Sequence, residues 1–170
     1  MSGAIEAMIA AMAACVSIGA GAPAEVPSRS ALAFERLASL AGEWKQIQGE
    51  TEIRLTYTLT ADRSALMEEF RPKKGPMMVT MFSVDGDRLL ATHYCSAKNQ
   101  PQMATEPIAD PDARSMAFSL VRVTGLTSPG DWHNTGLVVT IEDRDHLTQE
   151  WTYLSDGRTG KNAFHFERAR

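Results

Sequence analysis

Apolar and polar positions alternate with a period of two through most of this chain. In "TEIRLTYTL", Ile53, Leu55, Tyr57 and Leu59 fall on one side and Arg54, Thr56 and Thr58 on the other, as expected for a strand with one buried face. Strand-like runs follow in "ALMEEF", "PMMVTMFSV", "RLLATHYC", "SMAFSLVRV", "GLVVTI", "HLTQEWTYL" and "NAFHFER". Turn-forming stretches separate them: Ala61-Asp62-Arg63-Ser64, Asp85-Gly86-Asp87, Asp110-Pro111-Asp112, Glu142-Asp143-Arg144-Asp145 and Asp156-Gly157-Arg158. About eight to ten short strands result, with no room for crossover helices. The fold expected is all-β, an up-and-down antiparallel meander that removes its edges by closing into a barrel.

Upstream, the period changes. Ser28 or Ser30 can cap a helix reaching Ala41, with Ala33, Phe34, Leu37, Leu40 and Ala41 on one narrow apolar face. Gly42 stands where a helix stop belongs. The organisation read from the chain is a leader over 1–24, a linker and N-terminal helix over 25–41, and a barrel domain over 42–170.

Composition narrows the partners. The 170 residues carry a formal charge of −4 and no basic run, whereas nucleic-acid binding needs clustered Lys and Arg. Residues 7–24 contain no charge and are rich in Ala, and small residues around Ala20 to Ala24 suit a signal-peptidase site. The run is too short for a stable membrane span, so the expectation is export to the periplasm or beyond. Glu6 stands where such a leader usually carries Lys or Arg. Met12-Ala13-Ala14-Cys15 resembles a degenerate lipobox, which would place a lipid anchor on Cys15. The other cysteine, Cys95, would then be unpaired, and no internal disulfide is expected to hold the fold.

Leu40-Ala41-Gly42-Glu43-Trp44 directly after a short helix, together with Phe166-Glu167-Arg168 at the chain end, resembles the lipocalin-like calycin superfamily. The likeness is to exported bacterial lipocalin-like proteins and, more distantly, nitrobindin-like barrels. It covers roughly residues 30 to 170 and implies that Trp44 and Arg168 pack where the barrel closes. It also implies a ligand held in the barrel interior.

Which residues face that interior depends on register. A two-residue Asp85-Gly86 turn pairs Val84 with Asp87, Phe82 with Leu89, Thr80 with Ala91 and Met78 with His93. Met78, Thr80, Phe82, Leu89, Ala91, His93 and Cys95 then share one face, and Met77, Val79, Met81, Leu90, Thr92 and Tyr94 the other. If Asp87 joins the turn, Tyr94 meets Met78 instead. Either face is apolar enough to line the lumen.

The expected function is binding of a small apolar or amphipathic molecule. His93, Tyr94, Gln100 and His133 would orient it, with Asn99 near the rim. Met78, Phe82 and Cys95 would line the cavity, and Trp132 would sit on a loop over its mouth. The rival is an enzyme in the same cavity, with metal or with His93 as a general base. Zinc at His93-x-Cys95 would need His133 or His146 to converge. Haem through His165 would need that ring to face inward, whereas Phe164 and Phe166 on either side point it outward. The leading reading therefore requires no cofactor. Glu68-Glu69 makes a poor acid–base pair, because adjacent strand residues point to opposite faces.

Overall fold

The computed structural model describes residues 26–47, 49 and 52–170. The leader over 1–24, with Cys15, lies outside the described residues. A single helix, α1 (Arg29–Ala38), precedes ten strands: β1 (Gly42–Gln46), β2 (Ile53–Thr60), β3 (Ala65–Pro72), β4 (Met78–Asp85), β5 (Arg88–Tyr94), β6 (Gln100–Ala104), β7 (Ser115–Thr124), β8 (His133–Ile141), β9 (His146–Ser155) and β10 (Arg158–Arg168). Each strand pairs antiparallel with its neighbour in sequence, and β1 pairs with β10, closing the barrel. The up-and-down barrel expected from the alternation is the fold observed. No helix among the described residues is long and apolar enough to cross a membrane.

The helix starts as the sequence suggests. Ser28 accepts a hydrogen bond from the Ala31 N–H at 3.1 Å, and the buried Ser30 hydroxyl donates to the Gly86 carbonyl at 2.6 Å. That bond fixes α1 against the β4–β5 hairpin. Phe34, Leu37 and Leu40 are buried in one cluster with Leu66, Phe82 and Leu89, so the helix closes this end of the barrel. Its end differs from expectation: α1 stops at Ala38, and tight turn bonds from Leu40 and Ala41 lead into the first strand. Gly42, at φ +127°, begins β1 instead of ending the helix, and Arg168 Nη1 lies only 3.0 Å from where a β-carbon would stand.

Barrel closure is built on the pair the resemblance implied. Trp44 lies opposite Arg168 in the register, and the guanidinium sits 4.2 Å from the indole centroid. Arg168 also donates to the Ser39, Ala41 and Arg144 carbonyls, and the Trp44 indole N–H donates to Leu40 at 2.8 Å. One cation thus joins the helix exit, both closing strands and the β8–β9 turn.

Two local readings need correction. The β4–β5 turn is Gly86-Asp87, with Asp85 opposite Arg88 and Thr80 opposite His93. A glycine with φ +58° at the first central position suits a tight hairpin turn better than Asp85 would. The pairing therefore slips by two residues, which preserves the face each side chain occupies. Second, Gln100 and Pro101 lie in a strand that the apolar–polar alternation does not mark, β6, and a turn with Lys98 at φ +64° comes just before it. Polar turn formers beside a proline disguised this short strand.

Candidate functional site

Alternation sends one residue in two toward the lumen, and on several strands that residue is polar. Tyr57, Glu68, Thr80 and His93 are successive partners across β2, β3, β4 and β5. All four are buried. Each sits in an otherwise apolar inward row: Leu55-x-Tyr57-x-Leu59, Leu66-x-Glu68-x-Phe70, Met78-x-Thr80-x-Phe82 and Leu89-x-Ala91-x-His93. From the far wall, β9 contributes Gln149 and Trp151, the inward residues after Leu147.

The bonds within this belt fix its orientation. The Trp151 indole can only donate, and it does so to Gln149 Oε1 at 2.9 Å. Gln149 Nε2 therefore faces the other way, donating to the Tyr57 hydroxyl at 2.7 Å and to Glu68 Oε2. The Tyr57 hydroxyl, accepting from Gln149, belongs to the register partner of Glu68 on the neighbouring strand. Thr80 Oγ1 lies 3.3 Å from Glu68 Oε1 and 3.0 Å from His93 Nδ1. The His93 ring packs on Trp151, with centroids 4.8 Å apart.

Burial dominates the electrostatics. Loss of water pushes the Glu68 carboxyl up to about 7, against the downward pull of Tyr57, Gln149 and Thr80. Burial also holds His93 down to about 4, so its imidazole is neutral at pH 7. Tyr57 is raised well above its ordinary value by burial and then by the neighbouring carboxylate.

The belt divides the interior. On the helix side, Leu66, Phe82, Leu89 and Phe118 fill the barrel, with the Phe82 and Phe118 rings 5.7 Å apart. On the other side lies a cavity of about 650 Å³, open to solvent. Ile53, Phe70, Met78, Trp132, Trp151 and Phe164 give it apolar walls, and His93 and Asn134 are among its polar groups. Asn134 precedes a register shift in β8, a bulge of the kind that redirects side chains at barrel rims.

The sequence-predicted residues divide accordingly. His93, Met78 and Trp132 line the cavity. Phe82 lies beyond the belt, in the filled half. Tyr94 is 51% exposed on the outer face, because a strand cannot turn both it and His93 inward. Cys95 belongs to the turn after β5, where its Sγ accepts from the Ala97 N–H at 3.4 Å. Gln100 accepts from Thr124 on the outside at 2.9 Å.

Asn99 is buried and donates to the Trp132 carbonyl at 2.7 Å, holding that loop to the β5–β6 turn. Trp132 also packs on Tyr153, centroids 5.5 Å apart. The loop expected to act as a flap is tied from within: Asp131 accepts from Thr127 and Ser128. His133 opens β8, buried, with its Nδ1 2.7 Å from the Asp131 carbonyl.

Among the described residues, no three His, Cys, Asp or Glu side chains gather to hold a metal. His146 is exposed and paired with Asp143. His165 bonds Thr148 at 2.8 Å in the row alternate to the inward Phe164 and Phe166, and it also borders the cavity.

Glu68, Gln149 and Thr80 were not singled out by motif. Their signal is a polar residue in the apolar phase of a strand. Glu69 lies on the other face with Arg71, as the alternation requires, and the partners of Glu68 are on other strands. No family model matches this chain, and no curated protein matches it.

Proposed function

We propose that the barrel binds one small apolar or amphipathic molecule in its open half, as a lipocalin-like carrier. The cavity carries this reading: about 650 Å³, aromatic and aliphatic walls, and a buried polar belt at its base. Ligand sites typically have this size and this ratio of apolar wall to placed polar groups. The uncharged, Ala-rich segment 7–24 supports an exported carrier. The Trp44–Arg168 closure supports kinship with calycins.

Trp132 and Trp151 line the cavity, so occupancy is measurable through their fluorescence. Titration with 2-methoxynaphthalene should quench it saturably at one probe per chain, and Met78→Trp, which fills the cavity, should abolish the effect. Absence of saturable quenching up to the solubility limit of the probe would overturn the proposal. A second reading, acid–base catalysis in the same cavity, is favoured by one observation: a carboxyl–hydroxyl–imidazole chain ends on the cavity wall. Mass analysis of the molecule released from protein purified from cells separates the two. A ligand that survives incubation unchanged supports the carrier, and a converted one supports the enzyme.

A further inference from the structure

The hydrogen-bond chain at the base of the cavity sets which polar group a ligand can carry. Thr80 has one proton and stands between Glu68 Oε1 and His93 Nδ1. When Glu68 is ionised it accepts from Gln149 on Oε2 and from Thr80 on Oε1. The threonine oxygen must then accept from His93, which places the imidazole proton on Nδ1. His93 Nε2 is left with a bare lone pair, and among the described residues it has no hydrogen-bond partner. His93 lines the cavity, so this nitrogen is the acceptor offered to a ligand.

Protonation of Glu68 reverses every bond in the chain. The carboxylic acid donates to Thr80, Thr80 donates to His93 Nδ1, and the imidazole proton stands on Nε2. One proton has been added in all. It can enter at Nε2 from the cavity, with Nδ1–H passing to Thr80 and the threonine proton to Glu68, so no imidazolium has to persist. Gln149 bonds Glu68 Oε2 in both states.

We infer that the cavity takes an apolar molecule bearing one hydroxyl, alcohol or phenol, whose O–H donates to His93 Nε2 while Glu68 is ionised. The same inference holds that a proton on Glu68 turns this site into a donor that prefers a carbonyl. It rests on the binding reading above and adds the ligand class and its control by protonation.

The charged surroundings leave Glu68 in command. Around it stand Tyr57, Gln149 and Thr80, with His93 next in the chain. Burial is the largest influence on its titration. Two further titratable groups line the cavity beside His93. Lys161 is paired with Glu150 at 2.6 Å and His165 is bonded to Thr148.

Three naphthalenes of nearly equal shape test the inference: 2-naphthol, its methyl ether 2-methoxynaphthalene, and 2-acetylnaphthalene. Their dissociation constants are compared at about pH 8 and about pH 5.5, on either side of the Glu68 transition. At the higher pH, naphthol should bind about tenfold more tightly than the ether, the worth of one well-made buried hydrogen bond. At the lower pH, that ratio should fall to near one, and the acetyl probe should gain several-fold over the ether. Glu68→Gln, whose amide donates permanently to Thr80, should show the low-pH pattern at both values. His93→Leu should bind naphthol and ether alike.

Equal binding of naphthol and ether by the wild type at both pH values would overturn the inference and leave cavity binding standing. If none of the three probes binds, both readings fall. The wild-type ratios decide the matter even if a variant does not fold.

Discussion

Glu68 and His93 occupy β3 and β5, and the hydroxyl of Thr80 on β4 bridges them at 3.3 and 3.0 Å. Burial moves both groups in the same direction chemically: each prefers its uncharged form, Glu68 up to about 7 and His93 down to about 4.

Their effects on stability oppose one another. Glu68, raised on folding, contributes stability that is full below its unfolded value of 4.5 and is lost as pH rises toward 7. His93, lowered on folding, contributes stability that is full above 6.5 and is lost as pH falls toward 4. Between about 4.5 and 6.5 the folded chain holds one proton on Glu68, and the unfolded chain holds one on His93. The pair should therefore contribute almost no slope there. Removing either partner exposes the other: Glu68→Gln should lose stability, relative to wild type, as pH falls. His93→Leu should lose it as pH rises. Each slope should be on the order of 1 kcal/mol per pH unit. Urea unfolding across this range measures it, and slopes of the same sign would refute the assignment.

Arg168 acts through geometry as well as charge. Its planar fork reaches the Ser39 and Ala41 carbonyls while lying on Trp44. Lysine retains the charge and cannot reproduce the fork. Arg168→Lys should cost between about 1 and 3 kcal/mol, read from the denaturant midpoint.

The β2–β3 turn holds three consecutive non-glycine residues in left-handed conformation: Ala61, Asp62 and Arg63, with φ of +50°, +51° and +64°. Alanine has no side-chain hydrogen bond to offset that strain. Ala61→Gly should raise stability by about 1 kcal/mol and Ala61→Val should lower it by a comparable amount. Thermal unfolding distinguishes the two, and a destabilised glycine variant would contradict the strain argument.

Asn99 holds the Trp132 loop by one side-chain bond to its backbone. Asn99→Ala should cost about 1–2 kcal/mol and leave the barrel closure untouched. The more specific sign is increased acrylamide quenching of tryptophan, since Trp132 loses its fixed seat on the rim. Unchanged quenching would place the anchor of that loop elsewhere.

How much of this the chain discloses on its own follows from the range of each interaction. Alternation is local, so the strands and the buried face of β5 could be read directly. The identity of the turn is nearly local, and Asp85-Gly86-Asp87 fits more than one frame; the Asp85-Gly86 frame differs from the observed pairing by two residues and keeps every face. Thr80 and His93 share the right face in that frame and meet the wrong partners. The bond from Gln149 to Glu68 spans the lumen, and no pattern within a single strand encodes it. Glu68 was detectable only as a charge in the apolar phase between Leu66 and Phe70.

The Trp44–Arg168 closure also carries a kinetic consequence. Every other strand pairing joins neighbours in sequence, so the meander can grow hairpin by hairpin with short loops to close. The last seam joins the two ends of the domain, and its entropic cost falls due all at once. On a ribosome, β1 would emerge first and wait with an unpaired edge until β10 was made. Folding of this chain should be governed by that wait, and linking the termini while opening a hairpin elsewhere would move the slow step to a new seam.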